Sequence, residues 1–61
     1  MLLTDLNDEV FEINANDIRE LHTRHGANGD YTLIATDTQL YKVKESVPYI
    51  MKLLPPRGRT L

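Results

Sequence analysis

The sequence predicts a mainly β (α+β) fold: a small antiparallel sheet or partly open barrel of about five strands with one C-terminal helix. Three observations support this fold class. Short segments rich in β-branched and aromatic residues alternate with polar turn residues. The pair Asn28-Gly29 is typical of a tight β-hairpin. After Ser46, the apolar period changes from two residues to about 3.6.

The length and the absence of cysteine limit how this chain is stabilised. The chain has 61 residues and no cysteine, which excludes disulfides and thiolate metal sites. A core this small is marginal, so self-association or very efficient packing is expected. We predict a single β-rich domain over residues 1–54 and a flexible tail containing proline and arginine over residues 55–61.

The first half of the chain contains three strand candidates. Leu2–Leu6 and Val10–Ile13 are joined by the polar residues of Leu6–Glu9, which favour a tight turn. Ile13–Asp17 contains residues that hydrogen-bond their own backbone, so we expect a turn or one short helical turn. Ile18–Thr23 then resumes extended structure.

The next two strands have the strongest β pattern. The Asn28-Gly29 pair readily takes positive φ, so it should join the third and fourth strands as antiparallel neighbours. Tyr31–Thr36 is rich in β-branched residues, and Asp37-Thr38 turns the chain into Gln39–Lys44.

A helix is expected to follow these strands. Ser46 is suited to the N-cap, and Pro48 is tolerated in the first turn because its missing N–H would have had no intrahelical partner. Pro55-Pro56 ends the helix. The core-facing stripe is predicted at Val47, Ile50, Met51 and Leu54.

Several short motifs follow one another along residues 1–54: Leu3-Thr4-x-Leu6-Asn7, Phe11-x-Ile13-Asn14, Ile18, and Tyr41-x-Val43-Lys44-Glu45-Ser46-Val47-x-x-Ile50. In this order they resemble the FlbD-like small flagellar and swarming-motility proteins. The resemblance implies a small, bacterial, non-enzymatic protein connected with flagellar function. The first turn has Asn7-Asp8 where that family usually carries Asn-Gly. A stand-alone copy, for instance one encoded by a phage, could serve another binding purpose.

A second stretch, from Ile18 to Leu54, is similar to the closing portion of LytTR-type DNA-binding domains. In those domains strands alternating in this way precede a short helix. They are longer and more basic than this chain, whose formal net charge is -2.

No catalytic constellation is visible in the sequence. His22 and His25 are three residues apart in a segment that runs from strand into turn, so their side chains should project to opposite faces rather than share a metal. Ser46 lacks the Gly-x-Ser-x-Gly context of a nucleophile elbow. Neither a catalytic carboxylate pair nor a phosphate loop stands out. We therefore expect a non-enzyme with no metal and no cofactor.

Basic and aromatic residues on the predicted strands form the candidate ligand site. Near one another in a small sheet, they would bind an anion such as a nucleotide; the alternative is scattered solubilising charge. These candidates are Arg19, Arg24, Tyr31, Tyr41, Lys42 and Lys44.

Apolar residues that so thin a domain cannot easily cover are candidates for a subunit or partner contact. The alternative is that they complete the core of the monomer. These residues are Leu2, Leu40, Tyr49 and Met51.

Two function classes remain open from the sequence. The first is a module that acts through protein–protein interaction, with itself as the expected partner in a homo-oligomer. The second is an oligomer that binds or sequesters a small anionic ligand at subunit boundaries. DNA binding is a weaker alternative, because the chain is acidic and its tail offers only two arginines, Arg57 and Arg59, for contact with phosphate. No window is apolar enough for membrane insertion, and a cytoplasmic location is expected.

Overall fold

The predicted strands form two antiparallel sheets in the computed structural model, which describes residues 1–54. One sheet pairs β1 with β2, and the other has the order β3-β4-β5. The elements are β1 (Leu2–Thr4), β2 (Val10–Glu12), a 3-10 turn (Ala15–Asp17), β3 (Glu20–Gly26), β4 (Gly29–Ala35), β5 (Leu40–Val43) and α1 (Val47–Leu53). The mainly β fold with five strands and one C-terminal helix is thereby confirmed.

A single bridge between Asp5 and Val43 joins the two sheets. Beside it, the backbone N–H of Lys44 donates to the carbonyl of Thr4 at 2.8 Å. The five strands therefore follow one another in space as β2-β1-β5-β4-β3, with only a short contact between β1 and β5. The strands therefore form two antiparallel sheets that are joined along one short edge.

Two predicted strands have different ends because local hydrogen bonds compete with pairing. The first strand ends at Thr4 rather than Leu6, since one carboxylate oxygen of Asp5 accepts the N–H groups of Asn7 and Glu9 and turns the chain. The third strand begins at Glu20 rather than at Ile18. The N–H of Ile18 still donates to the carbonyl of Ala15, the first residue of the 3-10 turn.

The β3–β4 hairpin closes at the predicted Asn28-Gly29 pair. Gly26 is the register partner of Gly29, and Gly29 has a φ of 117°, a conformation that side-chain-bearing residues rarely adopt. The two turn residues, Ala27 and Asn28, both have negative φ, so the positive φ predicted for the Asn28-Gly29 pair is found at Gly29, where β4 begins. A Cβ on Gly26 would lie 3.1 Å from Cε1 of Tyr31, so the ring packs over this glycine.

The core lies between the sheets and α1. Phe11, Leu21, Tyr41, Leu54 and Met1 pack around it and remain half-buried. Its buried apolar residues are Leu3, Ile13, Ile18, Ile34, Val43 and Ile50.

The corner between β5 and α1 is fixed by polar contacts. The N–H of Thr4 donates to both carboxylate oxygens of Glu45, at 2.9 and 3.0 Å. The hydroxyl of buried Thr32 donates to the carbonyl of Glu45 at 2.7 Å. Glu45 thus connects β1, through Thr4, to the three-stranded sheet, through Thr32.

The helix begins where predicted, but it buries fewer side chains than predicted. The side chain of Ser46 caps it by accepting the N–H of Tyr49 at 3.2 Å. Ile50 is fully buried, whereas Met51 is 61% exposed, so its place in the core-facing stripe is wrong. A seven-residue helix buries a narrow stripe here, and Met51 is turned about 100° from Ile50. The predicted tail, residues 55–61, lies outside the described residues.

Candidate binding surfaces

One face of the three-stranded sheet points away from the core. The strand register places Arg24 opposite Tyr31 and Lys42 opposite Leu33. Thr32, between the two β4 residues, is buried, so Tyr31 and Leu33 project to the other side together with Arg24 and Lys42. We call the surface formed by Arg24, Tyr31, Leu33 and Lys42 the outer face.

Positive charge surrounds the Tyr31 ring on the outer face. The ammonium of Lys42 lies 5.7 Å from the ring centroid, within cation–π range. Within residues 1–54, neither Lys42 nor Arg24 forms an ion pair with a carboxylate. Lys44 lines the adjoining depression with Tyr31, and its ammonium is paired with Asp8. Four of the six ligand-site candidates therefore come together.

The other two candidates lie elsewhere. The guanidinium of Arg19 donates to both carboxylate oxygens of Asp37 at 3.0 Å and to the carbonyl of Asn16 at 2.9 Å. These contacts hold it at the end of the sheet remote from Arg24, and the Asp37 carboxylate raises the pKa of Arg19. Tyr41 faces the core side, where its ring stacks on Phe11 with the centroids 5.5 Å apart.

A groove separates β5 from the turn between β1 and β2. It is open to solvent, with a volume of about 650 Å³. Leu40 is 67% exposed and Leu6 is 41% exposed. Lys42 borders both this groove and the outer face. We call it the β5 groove; it is lined by Asp5, Leu6, Asn7, Phe11, Leu40, Tyr41 and Lys42.

The backbone of β5 also faces this groove. The N–H of Thr36 donates to the carbonyl of Gln39, and the N–H of Lys44 donates to the carbonyl of Thr4. Because peptide groups alternate in direction along an antiparallel strand, those of Leu40 point away from β4 and into the groove. In the described part of the chain, no strand pairs with Leu40 on that side.

Sequence reasoning missed Leu6 and Phe11 as groove residues. Leu6 ends the first predicted strand, where an apolar residue needs no further explanation. Phe11 falls within the second predicted strand, so the same holds for it. The signal that was available is the position of Leu6 next to a turn, where an apolar side chain has few neighbours to cover it.

The four interface candidates are exposed, at fractions of 49% or more. Leu2 lies on the side of the β1–β2 hairpin opposite buried Leu3, and Met51 lies next to Leu21 at the start of β3. Tyr49 is one helical turn from exposed Leu53. Leu40, in the β5 groove, is the candidate with both apolar neighbours and a free strand edge.

Both histidines pair with a carboxylate on the surface. His22 contacts Glu20 at 2.8 Å on the outer side of the sheet, and His25 contacts Asp30 at 2.6 Å near the hairpin. The register places the two histidines on opposite sides of β3, as predicted. Among residues 1–54, no three metal-binding side chains form a group.

Comparison with known proteins gives no match: no family model, curated protein or solved structure is significantly similar to this chain. The resemblance to FlbD-like proteins therefore stays a prediction. None of the described helices has the length and apolar character needed to cross a membrane.

Proposed function

We propose that this chain is a non-catalytic binding module that acts through protein–protein interaction, with the β5 groove as its main contact for a partner. One observation carries the proposal. Within residues 1–54, seven large apolar side chains are exposed and only six apolar residues are buried. A small domain gains stability by burying such groups, so this distribution favours a surface that a partner completes.

The β5 groove combines three kinds of contact that a protein partner uses. Leu6 and Leu40 offer exposed apolar surface. The peptide groups of Leu40 offer hydrogen bonds to an extended segment. Lys42 offers a positive charge at the rim. The partner expected from this chemistry presents an extended segment with an apolar side chain and a nearby carboxylate.

The proposed biological context follows the sequence resemblance. We place the module in the bacterial cytoplasm, in flagellar or swarming function, or in a phage that uses the same kind of module for another partner.

A photo-crosslinking experiment tests the groove. With a photoreactive amino acid at Leu40, cells that natively make the protein should yield one discrete covalent adduct. Adding Leu6→Glu, which places a charge in the groove, should remove that adduct. With the partner identified in this way, we expect Leu40→Glu to weaken its binding at least about tenfold, because an apolar anchor is lost.

Lys52 provides the matched control, because it is also exposed but lies on α1 and does not line the β5 groove. The same photoreactive residue at position 52 should give no adduct with this partner, and Lys52→Glu should leave partner affinity nearly unchanged. Equal labelling of the partner from positions 52 and 40 would contradict the proposal.

A second candidate function, anion binding or sequestration, is favoured by the outer face. Arg24 and Lys42 flank Tyr31 without carboxylate partners in residues 1–54, a combination that suits a nucleotide phosphate and base. On this proposal, ATP added to the protein should shift the NMR signals of Tyr31. Lys42→Gln should weaken ATP binding several-fold, because a charge-assisted contact is lost.

Lys52→Gln is the control for this titration. Lys52 also has no carboxylate partner among the described residues, but it lies on α1, away from the sheet. If both glutamine variants weaken ATP binding equally, the effect is one of general charge and the outer face is not an anion site. A steep loss of binding to DNA with salt would instead support the weaker DNA-binding alternative.

A further inference from the structure

We propose that two copies of this chain associate by pairing their β3 strands antiparallel about a twofold axis at His22, which joins their three-stranded sheets into one. The inference goes beyond the proposed function: it assigns the self-association expected from the sequence to one strand edge, and it leaves the β5 groove free for a different partner.

The outer edge of β3 is a long strand edge with free peptide groups. β3 has seven residues and lies at the end of its sheet. Ala35 faces β3, because its carbonyl accepts the N–H of Arg19. By alternation, the peptide groups of Leu21, Thr23 and His25 point outward. Within residues 1–54 they have no hydrogen-bond partner on that side.

The surroundings of this edge leave room for a second strand. Thr23 lies on the core side of β3 and is nevertheless exposed, so α1 does not cover the middle of the strand. Exposed β edges are normally protected by proline, by a bulge, by charged side chains or by a covering element. From Glu20 to Gly26 there is no proline, and the pairing with β4 proceeds residue by residue.

Charge complementarity selects the register. With His22 opposite His22 of the second copy, Glu20 lies opposite Arg24 of that copy, and the reverse pair forms by symmetry. Arg24 has no carboxylate partner within the described monomer, and this arrangement supplies one. Leu21 and Thr23 then form hydrogen-bonded pairs across the axis, which their outward peptide groups require.

An apolar contact is added beside the paired strands. Met51, which is 61% exposed, lines the same shallow depression as Leu21 and half-buried Leu54. Because this depression borders the start of β3, a second strand laid along the edge approaches it. Strand pairing therefore brings a contact to Met51, one of the exposed interface candidates, and a carboxylate partner to Arg24.

Charge reversal tests the register. Sedimentation equilibrium over the micromolar to millimolar range should show a monomer–dimer equilibrium for the full chain. Arg24→Glu and Glu20→Arg should each raise the dimer dissociation constant by roughly tenfold or more, because each converts two attractive cross-strand pairs into repulsive ones. The double variant with both changes should restore the dimer. Lys42→Glu, on the outer face but away from the edge, should leave it unchanged.

Disulfide formation between introduced cysteines tests the same geometry independently. Since the chain has no cysteine, His22→Cys introduces a single thiol at the proposed axis. Directly opposite residues in a non-hydrogen-bonded antiparallel pair have Cα atoms about 4.5 Å apart, which permits a disulfide. Mild oxidation should link two copies through Cys at position 22, and Lys42→Cys should give little linkage.

The outcomes separate this inference from the proposed function. A protein that stays monomeric at all concentrations overturns the β3 pairing. So does a dimer that is insensitive to the charge changes and is linked no better through position 22 than through position 42. Failure of folded double-swap protein to dimerise overturns the register. Neither result affects crosslinking at Leu40, which tests the partner groove by itself.

Discussion

Ile34→Ala should lower the free energy of unfolding by about 2–5 kcal/mol, one of the largest effects expected for a single substitution among residues 1–54. Ile34 is fully buried in the central strand β4, with Leu21 and Tyr41 as its register partners on either side. Domains of this length are stabilised by only about 3–9 kcal/mol in total. The variant should therefore be close to unfolding at room temperature, as measured by urea titration with circular dichroism.

Two neighbouring changes calibrate this prediction. Ile34→Val removes one methyl group and should cost about 0.5–1.5 kcal/mol. Leu33→Ala alters the adjacent residue on the half-buried outer face and should cost clearly less than Ile34→Ala, since its surroundings are already open to solvent. Equal losses for Leu33→Ala and Ile34→Ala would mean that the core does not lie on the side of β4 assigned to it.

The elements that could be predicted from sequence are those specified by local patterns. β4 and β5 combine β-branched and aromatic residues with a period of two, and α1 has a serine cap and helical spacing. Strand ends were harder to predict. Leu6 looks like a strand residue until the Asp5 carboxylate is seen to take up the N–H groups that follow it.

The candidate site was predictable only where it depends on one strand at a time. Tyr41 and Lys42 are consecutive residues of β5, so their side chains must project to opposite faces. The sequence alone could have separated these two candidates. In contrast, the separation of Arg19 from Arg24 depends on the ion pair with Asp37, which the strand register brings into reach. The β5 groove depends on the single bridge between the two sheets, which no local pattern specifies.

Glu45→Ala should destabilise the protein by about 1–3 kcal/mol, because it removes a partner of a partly buried backbone group. The N–H of Thr4 has both carboxylate oxygens of Glu45 within 3.0 Å. Glu45→Gln keeps one carbonyl oxygen as acceptor and should recover part of the loss. Urea titration gives the stability, and hydrogen exchange at the Thr4 amide, which should accelerate in the alanine variant, locates the cause.

Glu12→Ala is the matched control. The Glu12 side chain is 78% exposed, and its contact with the N-terminal amine is long, at 4.0 Å. This substitution should cost less than about 0.5 kcal/mol. Unchanged Thr4 exchange in Glu45→Ala would contradict the role given to this corner. Because Thr4 directly precedes the Asp5–Val43 bridge and the groove residue Leu6, loosening the corner should also weaken partner binding at the β5 groove without changing any residue that lines it. Weaker partner binding in Glu45→Ala, with the β3-mediated dimer intact, would show that the junction between the two sheets positions the groove.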